Sequence, residues 1–240
     1  MHANALRCKG HHIQLRQMNI AGKNINIFGA GDKAAPIVYL HTFQQEGSRV
    51  WEECRKMGTR RFVLVEIDGV DWNADMSPWP IEKLFAGDTA CTGGAEAWLK
   101  VLTEQIIPEV EKDLNVTRRY LAGYSLAGLF ALWAAYNTDV FSGIISGSGS
   151  FWYPGITDYV SKKQMERPPK SIYFSLGDRE SHVKNPLLAT VEDNTRWLYD
   201  HYSRQGITSI FELNNGNHYM QSEWRVAKGI QWSLKQDNQP

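Results

Sequence analysis

Ser125, His218 and the carboxylates Asp178 and Glu180 are the residues whose types and spacing could do covalent chemistry in this chain. Ser125 stands in "RRYLAGYSLAGLFALWAAY" (118–136), between a short apolar run and a longer one. The residues two before and two after it, Gly123 and Ala127, are small. A run that reads as a strand precedes it, and a run that reads as a helix follows. That is the setting of a strained strand-to-helix turn, which lifts a serine hydroxyl clear of the sheet and crowds everything around it. The N–H of Leu126 opens the helix and can face a developing oxyanion. The competing reading makes Ser125 a helix N-cap. Only the nucleophile needs partners downstream, in the chain order serine, acid, histidine.

His218 is the last histidine, in "ELNNGNHYMQSEW", between a strand-like run and the final helix-like run. A loop rich in Asn and Gly lets its imidazole lean back toward Ser125. His182 and His201 compete for the role of base, but His201 falls within a helix pattern, and His41 precedes the serine. The acid belongs after "SIYFSLG", where the chain reads Gly177-Asp178-Arg179-Glu180. The longer glutamate side chain can still meet the imidazole from further along the loop, which favours Glu180, with Asp178 placed to hold the turn through backbone bonds and kept as the alternative acid. A second oxyanion donor is expected from the loop after "PIVYL", where the N–H of Phe43 is the candidate.

The elements that must position these residues alternate in type. Strand-like runs fall at 35–41, 60–68, 118–124, 142–149, 171–177 and 209–214. Several lack in/out alternation, which suits parallel strands buried on both faces. Helix-like runs fall at 93–114, with a kink expected at Pro108, and at 126–136, 191–206 and 222–235. The alternation implies an α/β fold with a mostly parallel sheet. No linker splits the chain, so 1–240 reads as one domain. The segment 68–94 fits neither pattern. It mixes Trp, Pro, Gly and Asp and follows the carboxyl end of a strand, where open α/β sheets bind ligands. It reads as an active-site rim loop, against the alternative of a surface excursion packed as a small satellite core.

Bulk properties exclude some classes. Lys plus Arg number 26 and Asp plus Glu 26, so no basic excess argues for nucleic acid or an anionic membrane. Three cysteines with no CxxC pair suggest neither a disulfide framework nor a zinc site. The N-terminus is polar and lacks the apolar core of a signal peptide. Together these point to a cytoplasmic protein.

"LAGYSLAGLFALWAAY", "SGSGSFWY", "FSLGDRE" and "ELNNGNHY" occur in the order and spacing of the putative esterases of the α/β-hydrolase superfamily, and the chain resembles that family over nearly its whole length. Siderophore trilactone esterases, feruloyl esterases and S-formylglutathione hydrolases belong to that group, and "DWNADMSPWP" is similar to the rim loop of its siderophore-esterase branch. The resemblance implies an α/β-hydrolase fold and a serine hydrolase of carboxylic esters that works through an acyl-enzyme, with no metal and no cofactor. A small-molecule ester is the expected substrate, of siderophore or aryl type, and Trp72, Trp79, Trp152 and Tyr153 are the candidates to line its cleft. Ala127 stands where the family has its second elbow glycine, and Thr42 where its oxyanion loop has glycine. Two alternatives remain open: an acyltransferase using the same triad, and a binding protein that kept the fold without catalysis.

Overall fold

The computed structural model describes residues 15–29, 33–83, 87 and 89–236. Cys8 and most of the polar N-terminal stretch lie outside the described residues, as do 84–86 and 88 of the rim segment.

The apolar runs read from the sequence form the middle of one sheet. In chain order the strands are β1 (Leu15–Ile20), β2 (Lys23–Phe28), β3 (Ala35–His41), β4 (Val63–Asp68), β5 (Pro80–Ile81), β6 (Cys91–Thr92), β7 (Val116–Tyr124), β8 (Gly143–Gly147), β9 (Ser171–Gly177) and β10 (Thr208–Asn214). Eight of them pair in the order β1-β2-β4-β3-β7-β8-β9-β10, and β5 and β6 form a separate small ribbon. The neighbours from β4 to β10 run parallel, and β2 is antiparallel to both β1 and β4. β3, β4, β8 and β9 are buried along their whole length, which is why their sequences lack alternation.

The hairpin β1–β2 was not visible in the sequence. Its turn is Ala21-Gly22, both at positive φ (52° and 75°), the geometry a two-residue hairpin needs. Asn-Gly or Asp-Gly would have announced it. Ala-Gly does not.

Helices cover both faces. They are α1 (Gly47–Lys56), α2 (Trp72–Asp75), α3 (Ala95–Val101), α4 (Ile107–Glu111), α5 (Leu126–Ala134), α6 (Ile156–Lys162), α7 (Pro186–Ala189), α8 (Val191–Arg204) and α9 (Ser222–Gln236). α1 and α9 pack on one face, with Val50, Cys54, Val226, Ile230 and Leu234 against Val38, Leu40, Ile145 and Tyr173. α3, α5 and α8 pack on the other, with Trp98, Phe130 and Leu198 in one cluster with Tyr39, Ile144 and Phe174. α5 is buried at every position, as its all-round apolar sequence requires. α1 buries only Gly47, Val50 and Cys54, a stripe too narrow to stand out in the sequence. Between α3 and α4 the chain widens into a π-turn at Leu102–Ile106. Pro108 sits just beyond it, and its missing N–H breaks the regular α ladder there.

Cys54 and Cys91 are buried and are not joined in a disulfide. Among the described residues, no helix is long and apolar enough to cross a membrane.

Candidate active site

β7 ends at Tyr124, and α5 begins at Leu126. The whole turn between them is Ser125, at φ 59° and ψ −126°. A non-glycine residue there carries backbone strain of order 1–3 kcal/mol, held by what surrounds it. Its N–H donates to Gly147 O at 3.0 Å, and its own carbonyl accepts from Ser150 N at 3.1 Å. The turn brings two backbones together. A Cβ on Gly123 would stand 2.3 Å from the Ala127 carbonyl carbon and 2.6 Å from its Cβ. Gly123 thus leaves the room that Ala127 uses, which accounts for alanine at the position of the second elbow glycine.

The Ser125 side chain makes no capping bond to α5. Its Oγ lies 3.1 Å from His218 Nε2 and 3.3 Å from Ser150 Oγ. On the far side of the ring, His218 Nδ1 lies 2.7 Å from Glu180 Oε2. The bond to the carboxylate puts the proton on Nδ1 and leaves Nε2 to accept from the serine. Asp178 stands elsewhere. Its Oδ1 accepts from Gly216 N at 2.8 Å, and its N–H donates to Asn214 O at 2.7 Å, so it ties the acid loop to the histidine loop.

Glu180 is buried, and its Oε1 is saturated. Gly177 N, Ser148 Oγ and Arg225 Nη1 donate to it at 2.7, 2.8 and 2.8 Å. Burial by itself would push this carboxyl up. The hydrogen bond and charge of His218, with the donors at Gly177 and Ser148, outweigh it and hold Glu180 below the usual carboxylate range. The loop closes tightly because Gly177 has no side chain: a Cβ there would lie 2.3 Å from Gly216 O.

Leu126 is the first residue of α5, where N–H groups have no partner within the helix, and it borders Ser125. Phe43 differs from expectation. Its N–H donates to Glu46 Oε2 at 3.0 Å, and Gln44 N donates to the same carboxylate. The expected oxyanion donor is therefore already satisfied in this structure. Thr42 has its own use. Its hydroxyl donates to Glu66 Oε1 at 3.1 Å, an oxygen that also accepts from Gly47 N at 2.7 Å, while Asn26 Nδ2 donates to Oε2 at 2.9 Å. The buried Glu66 thereby ties the loop after β3 to the start of α1, a role a glycine at 42 could not share. His41, at the end of β3, accepts from Trp98 Nε1 at 3.0 Å, and burial pulls its pKa down to about 3, so it stays neutral.

A cavity of about 470 Å³ opens onto Ser125 and His218. Phe43, Trp72, Tyr124 and Tyr219 give it an aromatic wall, and Glu46, Arg49 and Glu223 a charged one. Arg49 Nε donates to Glu223 Oε1 at 2.6 Å. Trp72 comes from the rim segment and packs edge-on against Phe43, ring centroids 5.1 Å apart. The other three aromatic candidates do not line this cavity. Trp79 donates to Pro154 O and packs on Tyr153 and Tyr159, the Tyr153 hydroxyl donates to Trp79 O, and Trp152 packs on Tyr153. The 68–94 segment is thus divided. Trp72 reaches the cavity, whereas Trp79 packs with Tyr153 and Tyr159 against the main core on that face of the sheet, not as a separate satellite.

A family model described as a putative esterase matches residues 40–227. The chain belongs to that family. It is a carboxylic ester hydrolase. The ferri-bacillibactin esterase BesA of Bacillus subtilis is 32% identical to it over 158 residues, which cover 60% of this chain and 53% of BesA. YbbA of the same organism is 25% identical over 182 residues, covering 72% of this chain and 73% of YbbA. Among solved structures, the siderophore hydrolase EstA from Aspergillus nidulans matches with a TM-score of 0.72 at 19% identity, over 94% of this chain and 95% of EstA. An IroE-like serine hydrolase from Shewanella oneidensis matches with a TM-score of 0.74 at 16% identity, over 93% of this chain and 80% of that one. The structural matches establish the α/β-hydrolase fold of this esterase.

Several residues around the site of this esterase escaped the sequence reading. Tyr124 donates from its hydroxyl to His218 O at 2.6 Å, and Ser148 and Arg225 bond Glu180. Arg225 had a readable signal. It shares a helical stripe of α9 with the buried Gly229 and Ser233, where a charged residue needs a buried partner. Ser148, Glu46 and Glu66 had none.

Glu180→Gln is expected to lower kcat by roughly 10⁴, the scale set by disabling the acid of such a triad. Asp178→Asn is expected to loosen the loop pair and lower the melting midpoint more than it lowers kcat. Steady-state kinetics and thermal melts on both variants check this, and the reverse pattern would transfer the role to Asp178. Because the folded-state pKa of Glu180 is lowered, its contribution to stability is present above the unfolded value of about 4.3. That contribution is lost as the pH falls through the lower folded value. Denaturation midpoints followed with pH should fall over that window in the wild type and change less in Glu180→Gln.

Proposed function

We propose that this esterase is a serine hydrolase that works through an acyl-enzyme, with Ser125 as nucleophile, His218 as general base and acid, and Glu180 as the carboxylate that orients it. The observation that carries this reading is the unbroken line from Ser125 Oγ through His218 to Glu180, at 3.1 and 2.7 Å, on a serine held at positive φ. His218 Nε2 takes the serine proton as Oγ attacks the ester carbonyl. The tetrahedral intermediate collapses as the imidazolium gives that proton to the leaving alkoxide. Water then enters, loses a proton to His218, and attacks the acyl-serine. Ser125 leaves with the proton returned, and the carboxylic acid is released. Glu180 stays ionised throughout and stabilises the imidazolium.

The oxyanion is assigned to the N–H groups of Leu126 and Phe43. For Phe43 to serve, the Glu46 carboxylate must first release its N–H. The cavity, with Phe43, Trp72, Tyr124 and Tyr219 on one wall, suits an ester with an aromatic or bulky apolar part beside the scissile bond. The names of BesA and EstA add support for a siderophore-type or aryl ester.

Ser125→Ala is expected to remove nearly all ester hydrolysis, a loss approaching a million-fold, and to abolish labelling by a fluorophosphonate probe while the melting midpoint holds. Wild-type turnover in that variant would remove the mechanism. Glu46→Ala is expected to raise kcat, recovering part of the roughly 10²–10³ that one oxyanion donor contributes. A fall in kcat would show that the carboxylate organises the loop and does not compete with substrate. Trp72→Ala is expected to raise KM for bulky aryl esters more than for an acetyl ester, read from a panel graded in size; equal changes would take Trp72 out of substrate binding.

A further inference from the structure

Arg225 heads the fully buried side chains of the described residues by size, and its exposure is 0%. A guanidinium taken out of water costs several kcal/mol unless its donors are met. Nη1 reaches Glu180 Oε1 at 2.8 Å, Ser148 Oγ at 3.0 Å and Tyr124 Oη at 3.1 Å. Nη2 donates to Asn217 O at 3.1 Å and Asn215 O at 3.4 Å, and Nε has no partner. Nη1 carries two N–H groups and shares them among these three oxygens. Ser148 donates to Glu180, and Tyr124 to His218 O, so both hydroxyls have lone pairs to offer the guanidinium.

We propose that Arg225 is a positioning residue for the ester hydrolysis described above: it fixes the carboxylate of Glu180 toward His218, and its charge limits how basic His218 becomes. The proposal rests on the Ser125–His218–Glu180 reading. The terminal torsion of a glutamate is broad, so an acid on a loop must be pinned to present one oxygen. Arg225 is the charged member of the three donors on Oε1, and its own place is anchored by the Asn215 and Asn217 carbonyls. Oε2 is then left for His218 Nδ1. The charge acts along the same line. A lone buried carboxylate beside an imidazole stabilises the imidazolium and makes the base hard to deprotonate. A fixed positive charge on the far oxygen opposes this. Stability by itself gives no reason for the pair, since apolar replacement of a buried ion pair is often neutral or stabilising.

The test is the pH dependence of kcat/KM with 4-nitrophenyl acetate for the wild type, Arg225→Met and Arg225→Lys. For the wild type, a rise of kcat/KM with pH to a plateau is expected of a reaction that needs a general base. Arg225→Met leaves Glu180 unopposed, so the rise is expected to move to higher pH by roughly half a unit or more, with kcat lowered roughly tenfold or more and KM little changed. Arg225→Lys keeps the charge and loses the anchor, so the rise should stay in place while kcat falls. A fall in kcat for Arg225→Met with the rise unmoved marks a merely structural residue and overturns the proposal, as do wild-type kinetics. If Arg225→Met does not fold, the pair Glu180→Gln/Arg225→Met, which removes both buried charges, carries the comparison. A rate equal to that of Glu180→Gln supports action through Glu180, and a further drop of roughly tenfold or more overturns it. Ser125→Ala separates the two readings. If it is active, the triad itself fails. If it is inert while Arg225→Met behaves as wild type, only the role of Arg225 fails.

Discussion

A carboxylate taken out of water must have its lone pairs met, and Glu180 meets them by drawing four segments together. Gly177 N comes from its own loop, Ser148 from the end of β8, His218 from the loop after β10, and Arg225 from α9. Each partner is itself held by another. Tyr124, the residue before the strained serine, donates to the His218 carbonyl and accepts from Arg225, so the end of β7 enters the same network. Removing one member leaves a buried charge or dipole unmatched, and the cost is paid by all the loops at once. The geometry of the site therefore depends on this one carboxylate more than on any apolar contact.

The sheet supplies the scaffold for that convergence. β3, β7, β8, β9 and β10 run parallel and end on one edge, so the loops after them meet. Four residues in these loops, Gln45, Ser125, Ser148 and Gln221, hold positive φ without being glycine. Strain of this kind persists where neighbouring contacts over-determine the backbone, and here it gathers where the chemistry is read. The departures from the family pattern are absorbed locally. Ala127 uses the space opened by Gly123, and Thr42 finds an acceptor in Glu66.

Charge at the cavity is distributed in a way that matters for turnover. Glu46 occupies the N–H of Phe43, and Glu223 occupies Arg49. These lining groups are thus already paired with one another in the structure. Under the proposed mechanism a bound ester would compete with these carboxylates for the same groups, and only an interaction that becomes stronger at the transition state raises kcat.

The central strands, the helical runs at 93–114, 126–136, 191–206 and 222–235, Ser125 and His218 could be read from local pattern. The reason is physical: fully buried strands, an all-round apolar helix and a crowded turn each demand residue types that show within a few positions. The separation of Glu180 from Asp178 needed the fold, because two residues apart on one loop they differ only in which atom each faces across space. So did the fate of the tryptophans. Trp72 and Trp79 share a segment and a composition, yet one borders the cavity and the other packs on Tyr153 against the main core. Arg225, Ser148, Glu46 and Glu66 are ordinary polar residues in the sequence. Arg225, Ser148 and Glu66 became parts of the site only when burial removed water and left each with its own set of partners, 45 residues away in the chain for Arg225 and Glu180.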